Sequence, residues 1–161
     1  KKIAFIQNAA GGILGPMAAW LVLRGLKTLS IRLDRQQANA LQIATWLEHH
    51  QQVKKVYYPG LPKNPYHDIL KRQSNGYGAM ISFEIDNPEK IAHILSTASC
   101  FSYAESLGGV ESLITYPVLQ THADMEAHIL ERLGINNRLL RLSIGIEHVD
   151  DLIQDLSRML D

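Results

Sequence analysis

A length of 161 residues, with 46% hydrophobic and 20% charged residues, is typical of one soluble globular domain with a sizeable core. The 16 basic and 16 acidic residues cancel and Lys and Arg form no long run, which argues against nucleic acid as a partner. The single Cys100 excludes an internal disulfide and favours a reducing, cytoplasmic setting. The longest apolar run, residues 17–23, is too short to span a bilayer, so no membrane association is expected.

The chain opens on Lys1-Lys2-Ile3 without a Met, directly into a patterned segment, and we expect it to be a piece of a longer polypeptide. Gly11-Gly12 and Gly15-Pro16 then interrupt regular structure near the beginning of the chain. The pattern of residues 17–50 predicts two helices or one long bent helix. The first part is apolar almost all round, at Met17, Trp20, Leu21 and Leu23, and is predicted to be buried. The later part is amphipathic, with one apolar face formed by Leu33, Ala40, Ile43, Ala44 and Leu47.

The remainder alternates between strand and helix patterns. The predicted strands cover residues 53–58, 79–85, 101–104, 113–116 and 139–144. The predicted helices begin at Asn64-Pro65, at Asn87-Pro88, at Asp124 (ending before Gly134) and near Val149. Because these elements do not form regular parallel crossover units, we predict an α+β fold in which helices cover one face of a largely antiparallel sheet.

Two segments are candidates for a site. Residues 104–112, Ala-Glu-Ser-Leu-Gly-Gly-Val-Glu-Ser, place a carboxylate, hydroxyls and flexible backbone in one loop between two strands. Such loops often carry binding sites, although a hairpin turn with solvated polar residues fits the pattern equally well. In residues 139–144, alternation puts Leu140 and Leu142 on one face and Arg141 with Ser143 on the other. Arg141 therefore either binds an anionic ligand or forms a buried ion pair.

Other side chains offer less chemistry. Cys100 has no activating partner nearby in the sequence and is expected to be a buried, inert thiol. The seven His residues show no spacing typical of metal ligands, so no metal site is expected.

The loop of residues 104–112, followed by Thr121-His122, resembles the Cys/Met-metabolism PLP-dependent enzymes. This family includes cystathionine γ-synthase, cystathionine β-lyase, cystathionine γ-lyase and methionine γ-lyase. Further matches occur in the family's order and spacing from end to end of the chain. They are Gln7-Asn8, Leu23-Arg24-Gly25-Leu26-Lys27-Thr28-Leu29, Val56-Tyr57-Tyr58-Pro59-Gly60-Leu61-Pro62 and Arg141-Leu142-Ser143-Ile144-Gly145-Ile146-Glu147.

The resemblance implies that residues 1–161 are the small carboxy-terminal domain of a fold-type I enzyme, similar to aspartate aminotransferase. In that family, pyridoxal 5'-phosphate (PLP) is held by a Lys of the large domain and acts as an electron sink for the substrate. None of the eight lysines here lies in the family's Ser-x-x-Lys context. The chain is therefore expected to carry no catalytic residue and to bind no PLP alone, with the missing PLP domain as its partner.

The resemblance also assigns candidate substrate-binding residues. Arg141 matches the Arg that grips the α-carboxylate of the amino-acid substrate, and Ser106 matches the loop Ser beside that carboxylate. Thr121 matches a Thr near the same Arg. Glu105 matches a position that influences β versus γ chemistry.

Thr115-Tyr116-Pro117 and Gln120-Thr121-His122 look most similar to bacterial cystathionine lyases. The leading hypothesis is therefore a trans-sulfuration enzyme that cleaves a C–S bond of cystathionine and forms a homo-oligomer. Cystathionine γ-synthase and a non-catalytic truncated domain remain alternatives. Two departures bear on the subfamily: Gly15-Pro16-Met17-Ala18 lacks an acidic residue, and Asp124-Met125-Glu126 lacks a Pro.

Overall fold

A computed structural model describes residues 1–161 and divides them into two compact units, Lys1–Arg32 and Leu33–Asp161. The first unit contains helices α1 (Lys2–Ala10) and α2 (Pro16–Leu26) and the beginning of α3 (Leu29–Glu48), which continues into the second unit. None of the helices combines the length and hydrophobicity that crossing a bilayer requires.

The second unit contains a five-stranded sheet and four further α-helices. In chain order its elements after α3 are β1 (Val53–Tyr57), α4 (His67–Gln73), β2 (Met80–Ile85), α5 (Ile91–Thr97), β3 (Ser102–Tyr103), β4 (Leu113–Thr115), α6 (Ala127–Leu133), β5 (Leu139–Ser143) and α7 (Val149–Leu160). The strand order is β1-β2-β5-β4-β3, and every neighbouring pair is antiparallel except β3 and β4. The prediction of an α+β fold with a largely antiparallel sheet is confirmed.

The apolar helix α2 is exposed, contrary to the prediction from its sequence. Met17, Trp20, Leu21 and Leu23 each leave more than half of their surface accessible. A helix that is apolar all round is buried only if other elements pack against every side of it. Neither α1 nor α2 has any buried residue. The prediction of burial is therefore wrong for this unit.

The turn between α2 and α3 explains one of the sequence motifs. The Thr28 hydroxyl donates to the Gly25 carbonyl at 3.3 Å, and Arg32 Nη2 donates to the same carbonyl at 2.9 Å. Arg32 Nε also donates to the Thr28 hydroxyl at 3.3 Å. These bonds satisfy a carbonyl at the end of α2, so Gly25 and Thr28 have a structural role.

The core lies on one face of the sheet, beneath α3, α5 and α7. Alternate side chains of β2, at Ile81 and Phe83, point into it and are fully buried, as are Leu140 and Leu142 of β5. The buried residues contributed by the helices are Ala40, Ile43, Ala44, Leu47, Ile91, Ile94, Val149, Leu152, Leu156, Met159 and Leu160. Leu33, which was expected to share the face of α3, is instead 46% exposed.

Two predicted helix caps are displaced by two residues. The helix after Asp124 begins only at Ala127, with Glu126 at its amino end, because Asp124 belongs to the preceding turns. Asn64 accepts a hydrogen bond from the Tyr66 amide at 3.0 Å, but this closes a local turn before α4 begins. Asn87 caps as predicted, because its side chain accepts from the amide of Glu89 at 3.0 Å and begins a 3₁₀ turn (Pro88–Lys90) that leads into α5.

A buried carboxylate on α7 organises the segment that leads from α5 into β3. Asp155 is 5% exposed and accepts hydrogen bonds from the amides of Ser99, Cys100 and Phe101 at 2.8–3.2 Å, and from the Ser99 hydroxyl. It also forms an ion pair with Arg158. Burial by itself raises the pKa of Asp155, but the amide hydrogen bonds outweigh burial and leave the pKa below its usual value.

Cys100 lies in this same segment and is exposed, so the expectation of a buried thiol is wrong. Its amide is directed to Asp155, which turns the side chain outward. Partial desolvation and the nearby Asp155 carboxylate raise the pKa of the Cys100 thiol. The thiolate is therefore disfavoured, and nothing activates Cys100 as a nucleophile.

We expect Asp155→Ala to lower the free energy of unfolding of the chain by about 3 kcal/mol, because three amides lose their acceptor. Asp151→Ala, the matched control on the exposed side of α7, should cost less than about 1 kcal/mol because its carboxylate accepts no hydrogen bond within the chain. Since folding lowers the pKa of Asp155, its stabilisation is complete above about pH 4 and is lost as the pH falls through the folded pKa. Urea unfolding at pH 7 and at pH 3 should show a smaller difference between wild type and Asp155→Ala at pH 3; an equal difference would contradict this assignment.

Candidate functional site

The face of the sheet opposite the core carries a row of four aligned side chains. The strand register places Tyr57 of β1 opposite Ser82 of β2, Ser82 opposite Arg141 of β5, and Arg141 opposite Thr115 of β4. Residues directly opposite each other on neighbouring strands share a face. Arg141 therefore emerges between Ser82 and Thr115, away from the core, as strand alternation predicted.

Arg141 is half-buried and only partly satisfied by the protein. Its Nη2 donates to the backbone carbonyl of Glu105 at 3.1 Å and to the Thr115 hydroxyl at 3.2 Å. Its Nε and Nη1 groups have no acceptor within the chain, and no carboxylate lies within ion-pair distance. The alternative of an internal ion pair is thus excluded for this chain, and the guanidinium is free to bind an anion.

A cavity of about 290 Å³ lies beside Arg141. Its walls are mostly apolar, with Tyr57, Ser82 and His122 as further polar groups, and its remaining lining residues are Pro117, Leu133, Gly134, Ile135 and Leu139. The Tyr57 hydroxyl donates to the Glu84 carboxylate at 2.6 Å. Burial, together with the hydrogen bond to Glu84 and its charge, raises the pKa of Tyr57 to about 12. The phenol therefore stays protonated at neutral pH.

The loop of residues 104–112 joins β3 and β4, which are parallel neighbours, so the hairpin interpretation is wrong. Its carboxy-terminal end is fixed by Ser112, which is fully buried. The Ser112 amide and hydroxyl donate to the two carboxylate oxygens of Glu147 at 2.6 and 2.8 Å. The same hydroxyl accepts from the Gly145 amide at 2.8 Å, which ties the loop to the end of β5.

Helix α3 braces this loop with two buried amide side chains. Gln36 donates to the carbonyl of Gly109 at 2.5 Å. Asn39 donates to the carbonyls of Gly145 and Glu147 at 3.2 and 2.9 Å. No buried side-chain nitrogen or oxygen of the chain lacks a partner, so the polar network behind the loop is complete.

Close packing makes glycine necessary at position 145. A Cβ added to Gly145 would overlap the carbonyl oxygen of Val110 and the Glu147 carboxylate. The Gly108 amide meanwhile donates to the Ser143 hydroxyl at 2.9 Å. The loop therefore lies directly on the end of β5, at Ser143, two residues along the strand from Arg141.

The four residues predicted from the resemblance are only partly brought together. Glu105 contacts Arg141 through its backbone carbonyl, while its carboxylate is exposed and has no partner. Ser106 is exposed and makes no side-chain hydrogen bond within the chain. Thr121 bonds to His122 Nδ1 at 2.6 Å rather than to Arg141. Its neighbour His122 is the residue that lines the cavity.

Sequence reasoning missed Thr115, Ser112 and Glu147 as parts of the site. Ser112 and Glu147 belong to the motifs that carried the family resemblance. The sequence therefore singled out both residues but did not indicate that they contact each other. Thr115 could have been suspected from the alternation in β4, but its pairing with Arg141 depends on a strand register across 26 residues.

We expect Ser112→Ala to lower the free energy of unfolding by about 2 kcal/mol, because the Glu147 carboxylate loses one donor and the Gly145 amide loses its acceptor. Ser96→Ala on the exposed side of α5 is the matched control and should stay within about 0.5 kcal/mol of wild type. Urea unfolding measures both. Equal, small effects would show that the Ser112–Glu147 bonds contribute no more than a surface hydroxyl.

The fold and the site define a domain that presents an arginine without an acidic partner, beside a braced glycine loop, on the open face of a sheet. Residues 1–161 match the family described as "Cys/Met metabolism PLP-dependent enzyme". The chain belongs to this family, and the recognition of the family from its motifs is confirmed.

Three relatives illustrate the similarity. A cystathionine beta-lyase of Lactococcus lactis subsp. cremoris (strain MG1363) is 46% identical over 160 residues, which are 99% of this chain and 42% of the relative. The crystal structure of a cystathionine gamma-lyase from Lactobacillus plantarum with L-serine has a TM-score of 0.90 and 46% identity, covering 98% of this chain and 42% of that one. A cystathionine gamma synthase from Xanthomonas oryzae pv. oryzae in complex with cystathionine has a TM-score of 0.89 and 48% identity, covering 94% and 40%.

The chain thus spans about 42% of the length of the curated relatives it matches. The fold is that of part of a fold-type I PLP-dependent enzyme, as predicted. The aldehyde of PLP requires a Lys to hold it, and no Lys lines the cavity beside Arg141. The residues present therefore do not fit PLP. The donor set fits a carboxylate instead.

Proposed function

We propose that residues 1–161 are the carboxy-terminal, substrate-side domain of a longer PLP-dependent enzyme that cleaves a C–S bond of cystathionine. The single observation that carries the proposal is Arg141, a half-buried guanidinium with free N–H groups and no acidic partner. A planar fork of N–H donors matches the carboxylate of an amino acid. The names of the relatives suggest the substrate class, because cystathionine, an amino-acid thioether, recurs among them.

In this proposal the chain's own residues bind and orient the substrate. Arg141 holds the α-carboxylate, and Leu133 and Ile135 contribute apolar surface beside the ion pair. PLP, supplied with its lysine by the remainder of the enzyme, would withdraw electrons from the substrate. The braced loop places the Glu105 carbonyl against Arg141 and so limits where the guanidinium can point.

Glu105 is the proposed determinant of the reaction course. Its carboxylate is exposed and unpaired, so it can meet a substrate without first breaking an internal bond. We retain Ser106 and Thr121 as further substrate-binding candidates. Their hydroxyls would reach the substrate only with the remainder of the enzyme in place, because neither contacts Arg141 in this chain.

Cystathionine γ-synthase is the second candidate, since a γ-synthase bound to cystathionine is 48% identical to this chain, and the β- and γ-lyases are 43–47% identical. Product analysis of the full-length protein separates the candidates. A β-lyase converts cystathionine and water to homocysteine, pyruvate and ammonia, and a γ-lyase converts them to cysteine, 2-oxobutyrate and ammonia. A γ-synthase forms cystathionine from cysteine and an O-acylhomoserine and releases the acyl group as a carboxylic acid. A protein that performs none of these would instead support a non-catalytic domain.

In the full-length protein we expect Arg141→Ala to lower kcat/KM for cystathionine by about two to four decades, because a charge-assisted ion pair with the substrate carboxylate is lost. Arg141→Lys should not restore activity, because an ammonium cannot reproduce the planar fork. Steady-state kinetics and thermal melts of the same proteins provide the measurement.

Arg72→Ala serves as the control for this prediction. Arg72 lies exposed on α4 and forms no hydrogen bond or ion pair, so both its kinetics and its melting temperature should match wild type. An active Arg141→Ala enzyme, or one that is inactive only because it is unfolded, would make Arg141 structural and remove the basis of the proposal.

A further inference from the structure

We propose that Thr115 is a positioning residue that sets the Arg141 guanidinium for its ligand; this rests on the proposed role of Arg141. Thr115 is 1% exposed and stands directly opposite Arg141 in the antiparallel pair of β4 and β5. It does not line the cavity and so acts through Arg141 rather than on a substrate.

The direction of the Thr115 hydrogen bond is fixed by its second partner. The hydroxyl has one hydrogen, and it donates this hydrogen to the carbonyl of Ala104 at 2.7 Å. Only its lone pairs remain for Arg141, whose Nη2 lies at 3.2 Å. The hydroxyl can therefore only accept from the guanidinium, and its bond to the Ala104 carbonyl orients its lone pairs toward Arg141.

Thr115 is the better anchored of the two acceptors that hold Arg141. Its backbone lies in the sheet ladder between β3 and β5, so strand pairing determines where its Oγ1 lies. The other acceptor is the carbonyl of Glu105, in the exposed part of the loop. A buried strand position constrains a hydrogen-bond partner more tightly than an exposed loop does.

The two acceptors also determine which N–H groups face a ligand. The Nη2 group has two hydrogens, and the protein takes one for Glu105 and one for Thr115. The hydrogens of Nη1 and Nε remain, and because they lie on different edges of the guanidinium, each donates to a ligand oxygen singly. Without Thr115, the guanidinium could turn about its last torsions, and a ligand would first have to order it.

The same hydroxyl joins Arg141 to the start of the glycine loop. Ala104 is the residue that follows β3, and its amide donates to the carbonyl of Ile114 at 3.1 Å. Thr115 therefore holds the loop's first residue and the arginine through one oxygen atom. Its loss should weaken substrate binding more than it slows the chemical step.

The test is a double-mutant cycle in the full-length enzyme, with steady-state kinetics on cystathionine. We expect Thr115→Val, which keeps the β-branched shape, to raise KM about 10-fold while kcat changes less than about threefold. Thr115→Ser keeps the hydroxyl and should stay within about threefold of wild type in KM. In the Arg141→Lys background, Thr115→Val should cause no further loss, because the group on which it acts has gone.

Thr45→Val is the matched control, since it makes the same exchange of hydroxyl for methyl on the exposed surface of α3 and should change neither constant. If Thr115→Val is not folded at the assay temperature, Thr115→Cys replaces it as a poorer acceptor of similar size. An unchanged KM in the Thr115 variant, or an equal loss in the Arg141→Lys background, overturns the inference while Arg141 keeps its role. Full activity of Arg141→Lys overturns both proposals together.

Discussion

The hydrogen bonds between Ser112 and Glu147 are the constraint on which the rest of the site depends. They join the end of the glycine loop to the segment after β5, and the Ser112 hydroxyl closes the ring through the Gly145 amide. Asn39 of α3 satisfies the carbonyls of Gly145 and Glu147 from behind. A half-satisfied network here would cost stability and leave the loop without a fixed position, so these polar residues stabilise the geometry as a unit.

The sheet separates the residues that stabilise the fold from those of the proposed binding site. One face of β5 contributes Leu140 and Leu142 to the core, while the other presents Arg141 to a cavity. The strand that holds the arginine is therefore anchored by fully buried side chains on its reverse side. This arrangement lets a charged group stand half-exposed without its backbone being free to move, which reduces the cost of ordering it when a ligand binds.

The sequence patterns were informative where a local rule governed the outcome. Alternation placed Arg141 on the face away from the core, and the Asn87 cap formed as expected. The sequence patterns were insufficient where contacts between residues far apart in the sequence determine the structure. The partnership of Thr115 with Arg141 requires the register of β4 on β5, and the true exposure of Trp20 depends on how many neighbours α2 has. The parallel pairing of β3 with β4, which excludes a hairpin, also cannot be read from local periodicity.

The row formed by Tyr57, Ser82, Arg141 and Thr115 crosses four strands in one register, and side chains along each strand alternate between faces. Deleting a single residue from β5 would turn Arg141 toward the core and bring an aliphatic side chain to the cavity. Insertions and deletions in this domain can therefore accumulate in its connecting segments. The strands tolerate substitutions but not a change in the number of their residues.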